Sequence, residues 1–342
     1  MTIVSTATSF AWRVEAAADK PDPAGGTWRS MMNVRLFDWR DLPVLHRYRR
    51  RCLFLDSALL LTRGMLASTG AWLSSLGAAA GVYTFIGLDE DANAAARVSQ
   101  TTYTSGSPSA RLVFLAPQEA IEPAGMAALL DYMAVAMGEL GALHILAEVD
   151  EEHPAFEVLH LAGYAVYARQ RIWRLTGEPL GEPAAAHWRA CTERDLFSVR
   201  TLYTDLVPGL VQQTEPPPTG RLRGLVTEGE DVLAYVELHL GPQGIWMQPF
   251  IHPDTENVAA RLLSLLKNFP GRRTRPIYLC VRSYQSWLEA ALEELGAEAG
   301  PRQAVMVKRL ALTRRAAQPY AVPALNGKSP EPTVPLAPVE KS

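Results

Sequence analysis

The sequence predicts a mixed α/β chain made of two copies of one strand-and-helix unit in tandem. Short motifs return at two fixed offsets, strand-like and helix-like segments follow the same order twice, and a Pro/Gly-rich connector lies between the runs. Arg40-Asp41-Leu42 returns as Arg194-Asp195-Leu196, an offset of 154, while Leu129-Leu130 and Gly163 return as Leu262-Leu263 and Gly296, an offset of 133. Trp173-Arg174-Leu175 and Lys308-Arg309-Leu310 close the two copies. The change of offset assigns about twenty extra residues to the first copy, and the uncharged stretch near 64–80 is where they are expected.

In the first copy a strand is expected over 33–37 and a helix over 41–51. Asp38-x-x-Asp41, like Thr192-x-x-Asp195 in the second copy, has the form of a capping box. Strands follow at 82–88, about 95–103 and 111–116. The helix over 123–140 places Met126, Leu129, Leu130, Met133, Met137 and Leu140 on one face. A strand (143–149), a helix (153–162) and a last strand (164–174) complete the copy. The second copy repeats this order at 187–191, 193–204, 221–227, 231–240, 244–251, 255–268, 276–281, 285–295 and 302–310. Hairpin-type strands followed by helix-linked strands make a mixed sheet with helices on both faces.

These copies occupy residues 32–176 and 187–311, joined by a linker at 177–186. Residues 1–31 are expected to be a flexible leader, with Met31 or Met32 as an alternative start of translation. The Pro-rich tail from 312 on is expected to be disordered, because it has too few large apolar groups to offset the entropy of ordering. The net charge of -3 gives no reason to expect nucleic acid or an anionic membrane as partner. Residues 64–88 carry no charge but are rich in Gly, Ala, Ser and Thr and run into strand-like Val82-Tyr83-Thr84-Phe85-Ile86, so a helix or loop before a buried strand is expected instead of a span. The three cysteines Cys52, Cys191 and Cys280 are odd in number and widely spaced, which argues against a disulfide framework or a metal site and for a reduced, cytoplasmic setting.

The element order and its junctions resemble the GNAT family of N-acetyltransferases. Val232 to Pro253, ending in Ile251-His252-Pro253-Asp254, looks like that family's central hairpin. Leu161-Ala162-Gly163-Tyr164 and Glu294-Leu295-Gly296-Ala297 look like its last helix–Gly junction. The resemblance implies acetyl-CoA as co-substrate and no metal, with the pyrophosphate at a helix N-terminus. It places cofactor-binding residues at Phe114, Leu115 and Ala116 on a strand edge and at Gly125, Met126 and Ala127 in the loop before the long helix. Both copies depart from the family pattern. Glu122 and Val258 stand where the phosphate loop has a base or amide and a glycine, and Leu159 and Leu292 stand where the family has a tyrosine acid.

Glu237 and His239, two apart on one strand, face the same side and could take the proton of an amine, with Gln248 on the next strand; a solvated sheet face is the alternative, and the favoured one on sequence alone. Glu148, in the acidic run ending at His153, is a further candidate base, and a charged turn is its alternative. The reading is an N-acetyltransferase-like protein acting on an amine of a small molecule or peptide, as monomer or homodimer. Two alternatives stay open: a catalytically inactive binding or scaffold protein of the same fold, and a longer-chain acyltransferase whose pocket uses the apolar stretch near 64–80.

Overall fold

The computed structural model describes residues 32–70, 81–89, 96–227, 232–272 and 274–310, the side chains of 65–70 excepted. The leader, the proposed alternative start at Met31 and the tail lie outside the described residues. The first half comprises β1 (Met32–Leu36), α1 (Leu42–Tyr48), β2 (Leu53–Phe54), α2 (Ser57–Gly70), β3 (Val82–Asp89), β4 (Arg97–Thr102), β5 (Ser109–Ala116), α3 (Pro123–Glu139), β6 (His144–Asp150), α4 (Ala155–Leu161) and β7 (Ala165–Leu175). The second comprises β8 (Trp188–Ala190), α5 (Leu196–Leu206), α6 (Gly209–Gln212), β9 (Gly224–Thr227), β10 (Ala234–Leu240), β11 (Ile245–Ile251), α7 (Val258–Asn268), β12 (Ile277–Arg282), α8 (Leu288–Glu294) and β13 (Glu298–Arg309). The expected elements are present within a few residues of their limits, while β2, α6 and the first part of α2 were not foreseen. The uncharged stretch begins inside α2, which Gly64 breaks with φ 74° and ψ 173°; residues 71–80 lie outside the described ones. No described helix is long and apolar enough to cross a membrane.

The recurring Arg-Asp-Leu motif has a structural cause. Asp41 accepts two hydrogen bonds from Arg35 (2.6 and 2.7 Å) and one from the backbone N–H of Asp38 (2.8 Å). Asp195 accepts the same set from Arg189 (2.8 and 2.7 Å) and Thr192 (2.7 Å). Each aspartate therefore ties the first strand of its half to the start of the following helix. The recurring glycines are explained too: Gly163 (φ 85°) and Gly296 (φ 79°) each follow a helix in the left-handed region.

All strands of the described residues join one mixed sheet in the order β1-β3-β4-β5-β6-β13-β7-β12-β11-β10-β9-β8, with β2 against β5. The halves exchange their last strands. β13 pairs with β6 of the first half, Gln303 opposite Asp150, and β7 pairs with β12 of the second, Gln170 opposite Arg282. β7 and β13 then pair with each other, antiparallel, with Gln170 opposite Gln303. The cores follow the exchange. Ala304 and Met306 of β13 pack with Met126, Leu129, Leu130 and Met133 of α3, whereas Trp173 and Leu175 of β7 pack with Leu262 and Leu266 of α7. The connector at 177–186 has no regular structure, yet it is pinned along the second half by Leu180 N–H to Leu295 O (3.2 Å) and Ala184 N–H to Ala260 O (3.1 Å).

Candidate active site

The strand exchange brings both halves around one cavity of about 920 Å³, within the size range of small-ligand sites. The start of α2, β5, β6 and β7 contribute Asp56, Arg111, Glu148 and Gln170, and the second half contributes Tyr203, Glu215, Glu237, His239, Gln248 and Arg282. All three expected proton-handling residues, Glu237, His239 and Glu148, line this cavity. Glu237 lies opposite Gln248 across the β10–β11 hairpin, and the Glu237 carboxylate stands 3.4 Å from His239 Nε2, both side chains about two-fifths exposed (38% and 45%). Glu148, 4% exposed, accepts hydrogen bonds from the Ser57 N–H (3.0 Å) and Arg111 (3.4 Å).

A chain of amides links the wall across the exchanged strands. Gln170 Nε2 donates to Gln303 Oε1 (2.9 Å), which also accepts from Ser57 Oγ (3.2 Å), and Gln303 Nε2 donates to Asp150 (3.1 Å). Deeper, Glu215 accepts two bonds from Arg282 Nη2 (2.9 and 3.1 Å) and one from the Tyr167 hydroxyl (2.5 Å). Burial disfavours the Glu215 charge, but Arg282, Arg111 and the Tyr167 hydroxyl outweigh it and hold its pKa below the ordinary value. Burial also opposes the Arg282 charge, and Glu215 reverses this and raises its pKa. The carboxyl of Asp56 is pushed up, first by burial and then by Glu148, against the opposing pull of Arg111 and His239. His239 of the second half therefore acts on a carboxyl of the first.

The cysteines take no part as nucleophiles. Burial pushes the Cys52 and Cys280 thiols up to about 12 and the Cys191 thiol to about 11, so none is a thiolate at neutral pH. Among the described residues no group of three or more His, Cys, Asp and Glu could hold a metal ion.

Each half contains a pair of parallel strands that pair and then part. In the first half β5 and β6 pair from Ser109–His144 to Arg111–Leu146. Beyond this point Leu55 enters between them, its N–H donating to Val113 O and its carbonyl accepting from Glu148 N–H (both 2.8 Å). β2 continues the pairing, Leu53 with Leu115 and Phe54 with Phe114, while β4 holds the other edge of β5. Phe114, Leu115 and Ala116 are fully buried between these neighbours, so the strand edge expected to carry the cofactor is already paired with the chain itself. Gly125 and Met126 are buried and Ala127 is exposed. A Cβ at Gly125 would come within 2.6 Å of Arg97, whose guanidinium also lies 3.6 Å from Glu122. Arg97 of β4 thus packs against the start of α3.

In the second half β11 and β12 pair from Ile245–Ile277 to Met247–Leu279 and then separate. One side chain fills the gap: Gln285, 1% exposed, accepts from the Ile251 N–H and donates to the Pro249 carbonyl, each at 3.0 Å. Pro249 offers no N–H of its own, so this amide satisfies the polar groups of that short edge. Asn257, with φ 53°, precedes α7, and shortly before it His252 Nδ1 lies 3.5 Å from the Asp254 carboxylate. Leu159 and Leu292, at the tyrosine positions of the resemblance, are fully buried in the two cores. Sequence reasoning missed Gln285, Arg282, Glu215 and Gln170, because no local spacing marks them as facing one cavity.

This architecture is that of the GCN5-related N-acetyltransferases. The chain superposes on a GCN5-related N-acetyltransferase from Sphaerobacter thermophilus with a TM-score of 0.51, covering 81% of this chain and 95% of that one at 11% identity. It is also similar to a tandem GNAT protein from the clavulanic acid biosynthesis pathway (TM-score 0.44, 13% identity, covering 81% of this chain and 98% of that one). No protein-family model matches the sequence, and no curated protein matches it.

Proposed function

We propose that the protein is an acyl-CoA-dependent N-acyltransferase, with acetyl-CoA as donor and the cavity between the halves as the site for a primary amine of a small molecule or peptide. The observation that carries this reading is that Glu237, His239 and Glu148 line one cavity beside the parting of β11 and β12. A thioester donor supplies the acyl group. The β11 edge at Pro249 and Ile251 would hold its amide-bearing arm once Gln285 turns away, since a single side chain is easier to displace than the paired backbone of β2. In this reading Phe114, Leu115, Ala116, Gly125, Met126 and Ala127 of the first half, the cofactor residues expected from sequence, serve the fold.

Glu237 and His239 accept the proton of the incoming ammonium, so the lone pair of the amine is free to attack. Glu148 is already engaged by Ser57 and Arg111, and in this reading it shapes the cavity. The enclosing walls hold the amine in place and thereby lower the entropic part of the barrier.

The test is thiol release from acetyl-CoA with a panel of primary amines, together with calorimetric titration of CoA. Turnover of any amine above the rate of hydrolysis supports the reading. Absence of both binding and turnover at millimolar ligand rejects it and leaves a non-catalytic binding role for the cavity.

A further inference from the structure

Two nearly buried side chains of the cavity, one from each half, present polar atoms that the protein leaves unbonded. Trp246 of β11 lines the cavity and is 3% exposed. It lies opposite His239 and two residues from Gln248, so its side chain shares the face of Glu237. Among the described residues its indole N–H has no acceptor, and unlike that of Trp173 it is not sealed inside the protein. Asp56, 7% exposed, lines the same cavity from the start of α2. Its Oδ1 accepts the Leu59 N–H (2.9 Å), while its Oδ2 has no donor among the described residues and is likewise open. The other charged groups make no such demand on a ligand. Glu148 and Glu215 are engaged by Arg111 and Arg282, and Glu237 stands with His239. The unbonded nitrogens of Arg282 are closed off from the cavity, and Arg63, Arg221 and Arg223 are exposed to water.

A ligand that fills the cavity displaces water and must itself meet the Trp246 N–H and the Asp56 oxygen, because a polar group left unpaired away from water is costly. An indole N–H can only donate, and a carboxyl keeps acceptor capacity in either protonation state. A secondary amide answers both, since its C=O accepts and its N–H donates on opposite sides of one rigid plane. A carboxylate lacks the donor, and an alkyl chain lacks both. Trp246 stands one same-face step along β11 from Gln248, about 7 Å, which sets the amide close to an amine held at Glu237.

We propose that the acceptor is an amine bearing a peptide-type amide, whose oxygen takes the Trp246 N–H and whose N–H is received by Asp56. The N-terminal residue of a peptide and a small amino amide share this chemistry. The inference deepens the acyltransfer reading and rests on it for the reaction of the amine, but not for binding.

The experiment uses the full chain and pairs of amines matched in length, compared by calorimetric titration and by thiol release from acetyl-CoA. Glycyl-glycine amide against hexylamine models a peptide, and 3-aminopropionamide against butylamine models a small amino amide, so the pair with the larger preference identifies the source. Wild type is expected to favour the amide-bearing member of at least one pair by about 5- to 100-fold, the effect of leaving one buried donor unpaired. Trp246→Phe keeps the ring and removes the N–H, and should bring the members of that pair to within about threefold. Glycyl-sarcosine amide, which keeps the first amide oxygen but has no N–H there, should be used less well than glycyl-glycine amide. This comparison is made on wild type and needs no variant to fold. Amides that bind wild type, and bind at least fivefold more weakly to Trp246→Phe, without any acetyl transfer would uphold this inference and reject the acyltransfer reading. Alkylamines that bind and react as well as their amides, a preference that survives Trp246→Phe, indifference to the N-methyl group, or no binding of any amide probe would each overturn the inference.

Discussion

Gln170 and Gln303 occupy equivalent places in the two halves, 133 residues apart, and hydrogen-bond to each other at 2.9 Å. They sit where β7 and β13 cross from one half of the sheet into the other, so the pseudo-twofold relation of the halves runs through this contact, as in an isologous interface. Gln303 also holds Ser57 and Asp150. Replacing it with alanine leaves several partly buried partners unsatisfied and is expected to cost about 1–3 kcal/mol. Because each half supplies a central strand to the other, urea unfolding of wild type and variant should show one transition by both tryptophan fluorescence and far-UV dichroism. Two separated transitions would contradict the coupling.

Asp41 and Asp195 should behave alike. Asp41→Ala and Asp195→Ala each remove a junction cap and a two-bond partner, at about 1–2 kcal/mol each. The sites lie in different halves and share no partner, so the double variant should be nearly additive. Chemical denaturation at neutral pH measures both. Equal effects would confirm that the recurring motif does the same work in each half.

The same aspartates set a pH dependence. Burial disfavours the Asp41 charge, but Arg35 and the Asp38 N–H outweigh it and lower its pKa; Arg189 leads in lowering that of Asp195, against burial, and the Thr192 bonds add to it. A carboxyl with a depressed folded pKa adds stability that is fully present above its unfolded value, near 4. That part is lost as pH falls through the folded value. Wild type should therefore lose stability below about pH 4 more steeply than the double Asp41→Ala, Asp195→Ala variant. Melting temperature between pH 2.5 and 6 is the readout, and parallel curves for the two proteins would refute the assignment.

Gln285→Ala removes the amide that occupies the parted β11 edge. It should lower stability by about 1–2 kcal/mol, since the Ile251 N–H and Pro249 carbonyl lose their partner. CoA binding, on the proposed function, should strengthen several-fold, because the ligand no longer displaces a bound side chain. Calorimetric titration decides this, and unchanged CoA affinity would mean that the donor does not run along β11.

Glu237→Gln keeps the size of the side chain and removes its basicity. With an accepted amine, kcat/KM should fall by about 100-fold or more while the affinity for CoA stays unchanged, as expected for loss of proton transfer. A fall confined to KM would assign Glu237 to amine binding instead.

The order and type of the elements could be read from the sequence because they rest on local rules. The apolar face of α3, the glycines after α4 and α8, and the aspartates at the helix starts act within one turn of their own position. Local sequence also put Glu237 and His239 on one face. Tertiary structure alone decided which half β7 and β13 would join, since an alternating strand suits either sheet equally and its neighbours are chosen by long-range pairing and core packing. It also decided that Leu53–Leu55 would close the first parting and Gln285 the second, and that Arg282, Glu215 and Gln170 would face the same cavity as Glu148. Those contacts join residues far apart in the chain, and no period or spacing records them.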